Sequence, residues 1–454
     1  MSTREVDVVV VGLGPGGESA ATRLAQAGLE VLAVERRLVG GECPYYGCIP
    51  SKMMVRASDV LAEARRVDGL AGQASVTSDW SAVADRIRDE ATADWNDQAA
   101  VDRLEKAGAT LVRGQARLTA ARTVEVDGEP YVARRGVVLN TGTEPATLPI
   151  DGLDATPFWT NRDAVRAEAA PGSLLIIGGG AIGAEMAQAF SRFGTAVTVL
   201  EVADRILAPE EPEASKVVAD AFAHEGIQVL TGVEISSVSY DEGQFAVTVG
   251  DQTLNAEKLL VAAGRHPNLA DIGLDAVGLD PSARSVETDG RMRATGADGG
   301  GLWAIGDITG KGAFTHMSMY QAGVAVRDIL DQEGPEAQYH AVPRVTFTDP
   351  EVGSVGMTEK QARDAGLAVH TGTTDLSAST RGWIHRAEGV IKVVADAHRG
   401  VLVGATVVGP SGGEVLSLLT TAVHAAVPVE TLRSMIYAYP TFHRAVDEAV
   451  KDLG

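Results

Sequence analysis

An α/β fold of two Rossmann-like domains followed by a C-terminal α+β domain is predicted by three observations on this 454-residue sequence. A strand, glycine turn, helix, strand and acid follow one another at the start of the chain. The same order returns from Ser173. Beyond a boundary at Glu333-Gly-Pro335, apolar strands and helices mix without a further glycine turn. A chain of this length divides into two or three domains, and 45% hydrophobic residues supply each with a core.

In the first run, Val6 to Val11 is an apolar strand interrupted only by Asp7, and it leads into Gly12-Leu-Gly-Pro-Gly-Gly17. A helix from Glu18 to Ala27 stops at Gly28, and a strand from Glu30 to Val34 ends at Glu35. Gly12 and Gly14 permit a tight turn and the close approach of a pyrophosphate, while Gly17 lets helix and strand pack. The amides opening the helix face the phosphates, and Glu35 is placed to accept hydrogen bonds from ribose hydroxyls. The second run is Ser173 to Ile177, then Gly178, Gly180 and Gly183 in the turn, a helix from Ala184 to Phe190, and Ala196 to Leu200 ending at Glu201. Two complete units imply two nucleotide cofactors, or one cofactor and one nucleotide substrate. The competing reading, a duplicated fold with one dead site, is opposed by glycines and a terminal acid in both copies.

Between the units the sequence predicts helices from Ser51 to Arg66 and from Trp80 to Lys106, strand-like pieces, and a turn at Thr141-Gly142-Thr-Glu-Pro145. Pro149 to Pro157 reads as a boundary. A loop-rich stretch after Gly264-Arg265-His-Pro-Asn268 ends at a strand from Leu302 to Ile308 that contains Asp307, and a helix follows from Met317 to Leu330. The last part holds strands at Gly389 to Val394 and Val401 to Val408, with helices at Gly413 to His424 and Thr441 to Leu453.

Sixty-one acidic against thirty-nine basic residues give a formal charge of -22, which repels nucleic-acid backbones and anionic lipid. No apolar run approaches a membrane span, and the N-terminus lacks the pattern of a secretory signal. The expectation is a cytoplasmic protein with neither a nucleic-acid nor a membrane partner.

The stretch GGECPYYGCIPSK, Gly40 to Lys52, holds the only two cysteines, Cys43 and Cys48. No CxxC and no local histidine cluster accompanies them, so no metal site is expected. A chain this large needs no disulfide staple. Two unrelated buried thiols are the plain alternative; a redox pair fits the two nucleotide units better. A nicotinamide delivers hydride, a flavin accepts it, and a disulfide takes two electrons from the flavin. Pro50 can open a helix just after Cys48, placing a helix N-terminus beside that sulfur, where a thiolate is favoured.

These residues resemble those of the class I pyridine nucleotide-disulphide oxidoreductases, which include dihydrolipoamide dehydrogenase, glutathione reductase and mercuric reductase. The likeness spans essentially the whole chain, through GGECPYYGCIPSK, GGGAIGAE at Gly178 to Glu185, AAGRHPN at Ala262 to Asn268, AIGD at Ala304 to Asp307 and PRVTFTDPEVGSVGMTE at Pro343 to Glu359. It implies that Cys43 is the interchange thiol that attacks substrate and Cys48 the charge-transfer thiol against the flavin. It further implies a Lys52–Glu185 ion pair near flavin N5, Asp307 on the ribityl chain, FAD at the first glycine turn with Glu35, and the nicotinamide nucleotide at the second. Gly142, Gly264 and Arg265 join the cofactor-binding set. The implied domains are 1–150 with 265–335 for FAD, 151–264 for NAD(P), and 336–454 as the interface of a homodimer. Glu201 suits free ribose hydroxyls and repels a 2'-phosphate, favouring NADH over NADPH, while Arg205 is close enough in sequence to meet that phosphate.

The C-terminal motif departs from the pattern. Where thiol-disulphide members have His-Pro-Thr followed by a glutamate, this chain has Tyr439-Pro-Thr-Phe-His-Arg444. A phenol with an ordinary pKa of about 10 is a poor base for dithiol oxidation at neutral pH. His443 is a candidate replacement base, although it lies beside the apolar stripe of Phe442, Ala445, Val446 and Ala449. Arg444 stands where a glutamate would complete a capping box on Thr441; it reads either as a charge for an anionic substrate or as a solvated rim residue. Mercuric reductases place a tyrosine at the same point but usually carry a C-terminal cysteine pair, which this chain lacks. The expectation is an FAD-dependent NAD(P)H oxidoreductase working through Cys43 and Cys48 on a small-molecule, disulfide-like acceptor. Its alternatives are direct transfer from flavin to a quinone or dye, dihydrolipoamide dehydrogenase, a mercuric reductase-like enzyme, or a structural homologue with impaired catalysis.

Overall fold

The apolar run at the start of the chain becomes the strand Arg4–Val11, which is parallel to Val31–Glu35 on one side and Glu129–Leu139 on the other. Both faces of a parallel sheet are covered, so its strands are apolar throughout rather than alternating. Val8 and Val10 pack on one side with Leu24, Leu104 and Ile329, while Val9 and Val11 pack on the other with Leu118, Val124 and Leu274. Thr110–Arg113 extends this seven-stranded sheet beyond Val31–Glu35, Leu302–Ala304 pairs with Glu129–Leu139, and an antiparallel hairpin of Ala116–Ala120 and Thr123–Val126 closes the far side. This computed structural model describes residues 4–453, and they fall into two units. The first contains the chain up to Pro50, Asp85–Ala146 and Gly264–Tyr339; the second contains Ser51–Ala84, Thr147–Ala263 and the chain from His340 onward.

Three local expectations change. The single helix expected from Trp80 to Lys106 is broken: Trp80–Arg86 runs into a π-helical turn at Ile87–Ala91, and Gln98–Lys106 starts afresh. Ala93, Asp94 and Trp95 between them have φ values of 47°, 56° and 53°. Short polar side chains cause the break by capturing backbone groups that a helix would use. Thr92 Oγ1 donates to the Ile87 carbonyl and accepts from Trp95 N, and Asn96 Oδ1 accepts from Gln98 N. The strand expected from Leu302 to Ile308 stops at Ala304, because Gly306, at φ 78°, turns the chain into a 3-10 turn over Gly306–Thr309. The helix Cys48–Arg65 starts at the cysteine itself, so Pro50 sits in its first turn rather than opening it.

In the second unit, four parallel strands run in the order Gln228–Thr231, Ala196–Glu201, Ser173–Ile177, Lys258–Val261. A three-stranded antiparallel sheet, Ile235–Asp241, Gln244–Val249 and Gln252–Ala256, accompanies them. The C-terminal part is a five-stranded antiparallel sheet, Pro343–Thr346, Glu351–Gly356, Val401–Gly409, Val390–Asp396, Val369–Asp375, with Gly412–His424 and Phe442–Lys451 in its core.

Buried ions tie these sheets together. Lys392 Nζ lies 3.1, 2.8 and 2.9 Å from carboxylates of Glu211, Glu213 and Glu359. Arg344 makes a two-pronged pair with Glu210 at 2.7 and 2.9 Å. Arg192 is shared among Asp59, Glu225 and Asp349. Burial pulls the Lys392 ammonium down, and its hydrogen bonds to Glu213, Glu359 and Glu211 more than reverse this, so it stays charged. Removing one partner of such a buried set leaves the other charges unpaired and costs about 3–5 kcal/mol. Lys392→Ala is therefore expected to lower the denaturant midpoint of the full chain by an amount corresponding to about that energy; an unchanged urea melt would mean that Glu211 finds another counter-charge.

Candidate active site

Each glycine turn is held by the acid at the end of the neighbouring strand. Glu35 Oε2 accepts from Leu13 N at 2.7 Å and its Oε1 from Arg37 N at 2.8 Å. Glu201 does the same in the second unit, with Gly179 N at 2.6 Å and Ala203 N at 2.8 Å. Each carboxylate oxygen has a second acceptor site, so these bonds leave room for a ribose hydroxyl. The third glycine of each turn is required by space: a Cβ on Gly17 would stand 2.0 Å from the Gly12 carbonyl oxygen, and one on Gly183 would stand 1.9 Å from that of Gly178. Gly142, Gly180 and Gly264, in contrast, face open space. In the first unit a cavity of about 310 Å³ is lined by Val11, Val34, Arg36, Gly114 and Thr141, at the carboxyl ends of the central strands. An open strand-end crevice beside a glycine turn and an acid fits a dinucleotide, so the residues present suit FAD. Gly180 and the Glu201 clasp suit a nicotinamide nucleotide in the same way.

The cysteine segment is fastened to the first turn. Gly40 N donates to the Leu13 carbonyl at 2.7 Å, and Gly41, at φ 66°, brings its Cα side so close that a Cβ would be 2.8 Å from Gly14 Cα. The short helix Glu42–Tyr45 carries Cys43, and the helix Cys48–Arg65 begins with Cys48. The broken helix contributes here, since Trp95 Nε1 donates to the Tyr45 carbonyl at 3.1 Å and Asp97 accepts from Val39 N at 2.6 Å. Both cysteines are thiols, Cys43 half-buried and Cys48 exposed, and their side chains share a hydrogen bond. That bond, followed by burial, pushes the Cys43 thiol well above its ordinary value. Thr315 Oγ1, on the first residue of the helix Thr315–Ile329, lies 3.5 Å from Cys48 Sγ.

Asp307 accepts from Thr143 Oγ1 at 2.7 Å. Arg265 donates to the same Thr143 hydroxyl and to the Thr143 carbonyl, and it pairs with Glu42 at 3.5 Å. These bonds join the residue preceding Cys43 to the Gly142 turn. In the second unit, Lys52 Nζ is 2.7 Å from Glu185 Oε2 and 4.7 Å from the centre of the Phe347 ring. Glu185 is almost fully buried, and its other oxygen accepts from Phe347 N at 2.9 Å.

Tyr439 is 69% exposed, and its hydroxyl donates to Thr380 Oγ1 at 3.3 Å. His443 is exposed on the opening turn of the last helix. Thr441 caps that helix by accepting from Arg444 N, as expected. Arg444, part-exposed, is ion-paired with the buried Asp447 of its own helix, which also binds Lys451 at 2.7 Å. The acid one turn later explains why arginine is tolerated where a capping glutamate was expected. Thr315 lies outside every motif the sequence offered, and Thr143, Glu42 and Phe347 lie inside motifs that gave them no role, because each gains its partner from a distant segment.

The chain matches the family model described as pyridine nucleotide-disulphide oxidoreductase over residues 6–327, and its dimerisation domain over residues 342–450. It is 32% identical to a dihydrolipoyl dehydrogenase of Chlorobaculum tepidum, across 99% of this chain and 97% of that one. It is 33% identical to a mercuric reductase of Acidithiobacillus ferrooxidans, across 96% of this chain and 81% of that one. Among solved structures, the Cu(II) complex of the HOCl-induced flavoprotein disulfide reductase RclA from Escherichia coli is similar, with a TM-score of 0.86, 26% identity and 99% of both chains covered.

The fastening of residues 40–41 has a direct test. Gly41→Ala places a side chain against backbone in a left-handed conformation, at a cost of about 1–3 kcal/mol. Hydrogen-exchange mass spectrometry is expected to show lost protection of the segment around Gly40; unaltered exchange would mean the segment is held elsewhere.

Proposed function

From the premise that this chain belongs to the pyridine nucleotide-disulphide oxidoreductase family, whose members are FAD-dependent enzymes using NAD(P)H, we propose that it carries electrons from NADH through a Cys43–Cys48 disulfide to a small-molecule acceptor. The observation that carries this reading is the hydrogen-bonded thiol pair beside the first glycine turn. Bound FAD supplies two-electron acceptance from nicotinamide and two-electron donation to the disulfide. Glu35, Gly12, Gly14 and Gly17 would hold its adenosine and pyrophosphate end, with Asp307, Gly142 and the Gly264-Arg265 pair along its length. Glu201 with Gly178, Gly180 and Gly183 would hold the nicotinamide nucleotide. A 2.7 Å bond to buried Glu185 holds the Lys52 ammonium in place, suited to balancing negative charge on a reduced ring.

NADH is preferred in this reading. Both oxygens of Glu201 are turned to their own loop, where a 2'-phosphate would meet negative charge. Arg205, the residue that would answer that phosphate, spends its Nη2 on the carbonyls of Ala208 and Glu210 at 2.7 and 3.3 Å. We assign residues 1–150 and 265–335 to FAD, 151–264 to the nicotinamide nucleotide and 336–454 to the interface of a homodimer. Ile436, Trp383 and Tyr439, 98%, 74% and 69% exposed, are apolar or aromatic surface for a second copy to cover. A cytoplasmic setting suits a thiol pair that cycles.

A second acceptor reading, direct transfer from flavin to a quinone, is favoured by Tyr439. Its exposed hydroxyl, bonded to a threonine, stands where the thiol-disulphide members carry a histidine base. His443 remains the candidate for that role. The RclA structure is a Cu(II) complex, which adds a cupric ion to the acceptors worth trying, although among the described residues no group of three or more His, Cys, Asp or Glu is arranged to hold a metal.

Anaerobic titration with NADH tests the central step. One equivalent is expected to raise a long-wavelength thiolate–flavin absorbance, lost in Cys48→Ser. Steady-state rates with lipoamide, menadione and Cu(II) then separate the acceptors: Cys43→Ser should lose at least about 100-fold on disulfides and little on quinones. No such band in the wild type, with fast menadione reduction, would replace the disulfide route by the direct one.

A further inference from the structure

The turn that carries Asp307 leaves the sheet with one amide in need of an acceptor. Ile305 N makes the last bond to the neighbouring strand, donating to the Leu139 carbonyl at 2.9 Å. Gly306, at φ 78°, then turns its N–H into the interior, where a donor without an acceptor is costly. The acceptor comes from the helix Thr315–Ile329: Gln321, 0% exposed, places its Oε1 2.7 Å from Gly306 N. We propose that Gln321 is the positioning residue for Asp307, fixing the turn from which that carboxylate meets the cofactor. This rests on the reading above in one respect, that FAD is the group Asp307 faces.

The neighbours of the carboxamide set its orientation. Gly306 N can only donate, so the amide oxygen faces it and the amide nitrogen faces two hydroxyls. Nε2 donates to Thr309 Oγ1 at 3.0 Å and to the Tyr339 hydroxyl at 3.2 Å. Thr309 Oγ1 in turn donates to the Gly306 carbonyl at 2.8 Å, and the Tyr339 hydroxyl to Met292 Sδ at 3.3 Å. The N–H and the carbonyl of Gly306 are therefore both tied to one side chain, the first directly and the second through a threonine. Asp307 is the next residue and accepts from Thr143 Oγ1, so a shift of the turn carries the carboxylate off that hydroxyl. One turn earlier on the same helix, Ser318 Oγ donates to Asn140 Oδ1 at 3.1 Å, and Asn140 Nδ2 donates to the Gly12 carbonyl at 3.3 Å. The two anchors are packed without slack: a Cβ on Gly306 would stand 2.7 Å from Asn140 Oδ1 and 2.9 Å from Ser318 Oγ. The first glycine turn and the Asp307 turn are thus gauged from a single helix, and a buried network of this kind fixes geometry because its half-satisfied forms are costly.

The test uses the full-length flavoprotein and two readouts, hydrogen-exchange mass spectrometry and the rate of FAD release followed by the fluorescence of freed flavin. Gln321→Met keeps the length of the side chain and removes its bonds. Faster exchange is expected in the peptide containing Gly306–Thr309, with exchange around Gly178 unchanged, and FAD release is expected to rise about tenfold. Gln321→Leu gives the same readings if the methionine variant folds poorly. Gln321→Glu retains an oxygen for Gly306 N and is expected to bring release back to within about twofold of wild type. Asp307→Ala separates positioning from general loosening. Adding Gln321→Met to it is expected to change release by less than about twofold, because the residue through which Gln321 acts is already gone. Three results overturn the proposal: wild-type exchange in the methionine and leucine variants, a glutamate variant that releases FAD as fast as the methionine one, or a double variant in which the two losses multiply. A wild-type chain that takes up no FAD would overturn the FAD reading alone, since exchange at Gly306 reads the fastening without the cofactor.

Discussion

The peptide of Leu13 is held from both ends, and the placement of the redox residues follows from it. Glu35 takes its N–H, and the incoming Gly40 amide takes its carbonyl. The first bond sets the shape of the turn at the end of Arg4–Val11. The second brings the cysteine segment down onto that turn until Gly41 touches Gly14. A chain that must deliver thiols beside a nucleotide turn cannot rely on a flexible loop, because a displacement of about 1 Å can cost 100-fold in rate. Two consecutive residues with positive φ, Gly40 and Gly41, make the sharp descent without side-chain obstruction.

The distribution of charge follows a similar economy of position. The chain carries a formal charge of -22, yet two of its buried ionic groups are cations surrounded by acids: Lys392 with three carboxylates and Arg192 with three more. Excess acid on an exposed surface costs little, because water and salt screen it. Inside, each cation is multiply satisfied, which is the condition under which a buried ion is tolerated. The acidic surplus thus describes the exterior and says little about the sites.

Much of the fold was legible because its signals are local. The strand–turn–helix runs at Gly12 and Gly178, the acids at Glu35 and Glu201, and the helix ending at His424 stand close to where the residue pattern puts them. The break at Ala93–Trp95 was hidden, since the apolar spacing across it continues in helical phase while Thr92 bonds back to the Ile87 carbonyl and Asn96 accepts from Gln98 N. The candidate site was legible where a motif spans a few residues, as with Cys43, Cys48 and Lys52. It was illegible where the partner arrives from far along the chain. Thr315 lies 267 residues from Cys48, and Phe347 lies 162 from Glu185, so spacing could not reveal either. The Arg444 counter-charge, Asp447, stands one turn later on the same helix, where the sequence reading did not look for it.

The paired carboxylate clasps bear on how such a protein can diversify. Glu201 is at once the residue facing the adenosine ribose in this reading and the acceptor that shapes its own glycine loop. Exchanging it for a residue that welcomes a 2'-phosphate would also leave two backbone amides without their acceptor. Coenzyme choice and loop integrity are therefore inherited together, and a lineage changing one must find a new anchor for the other before the exchange is tolerated.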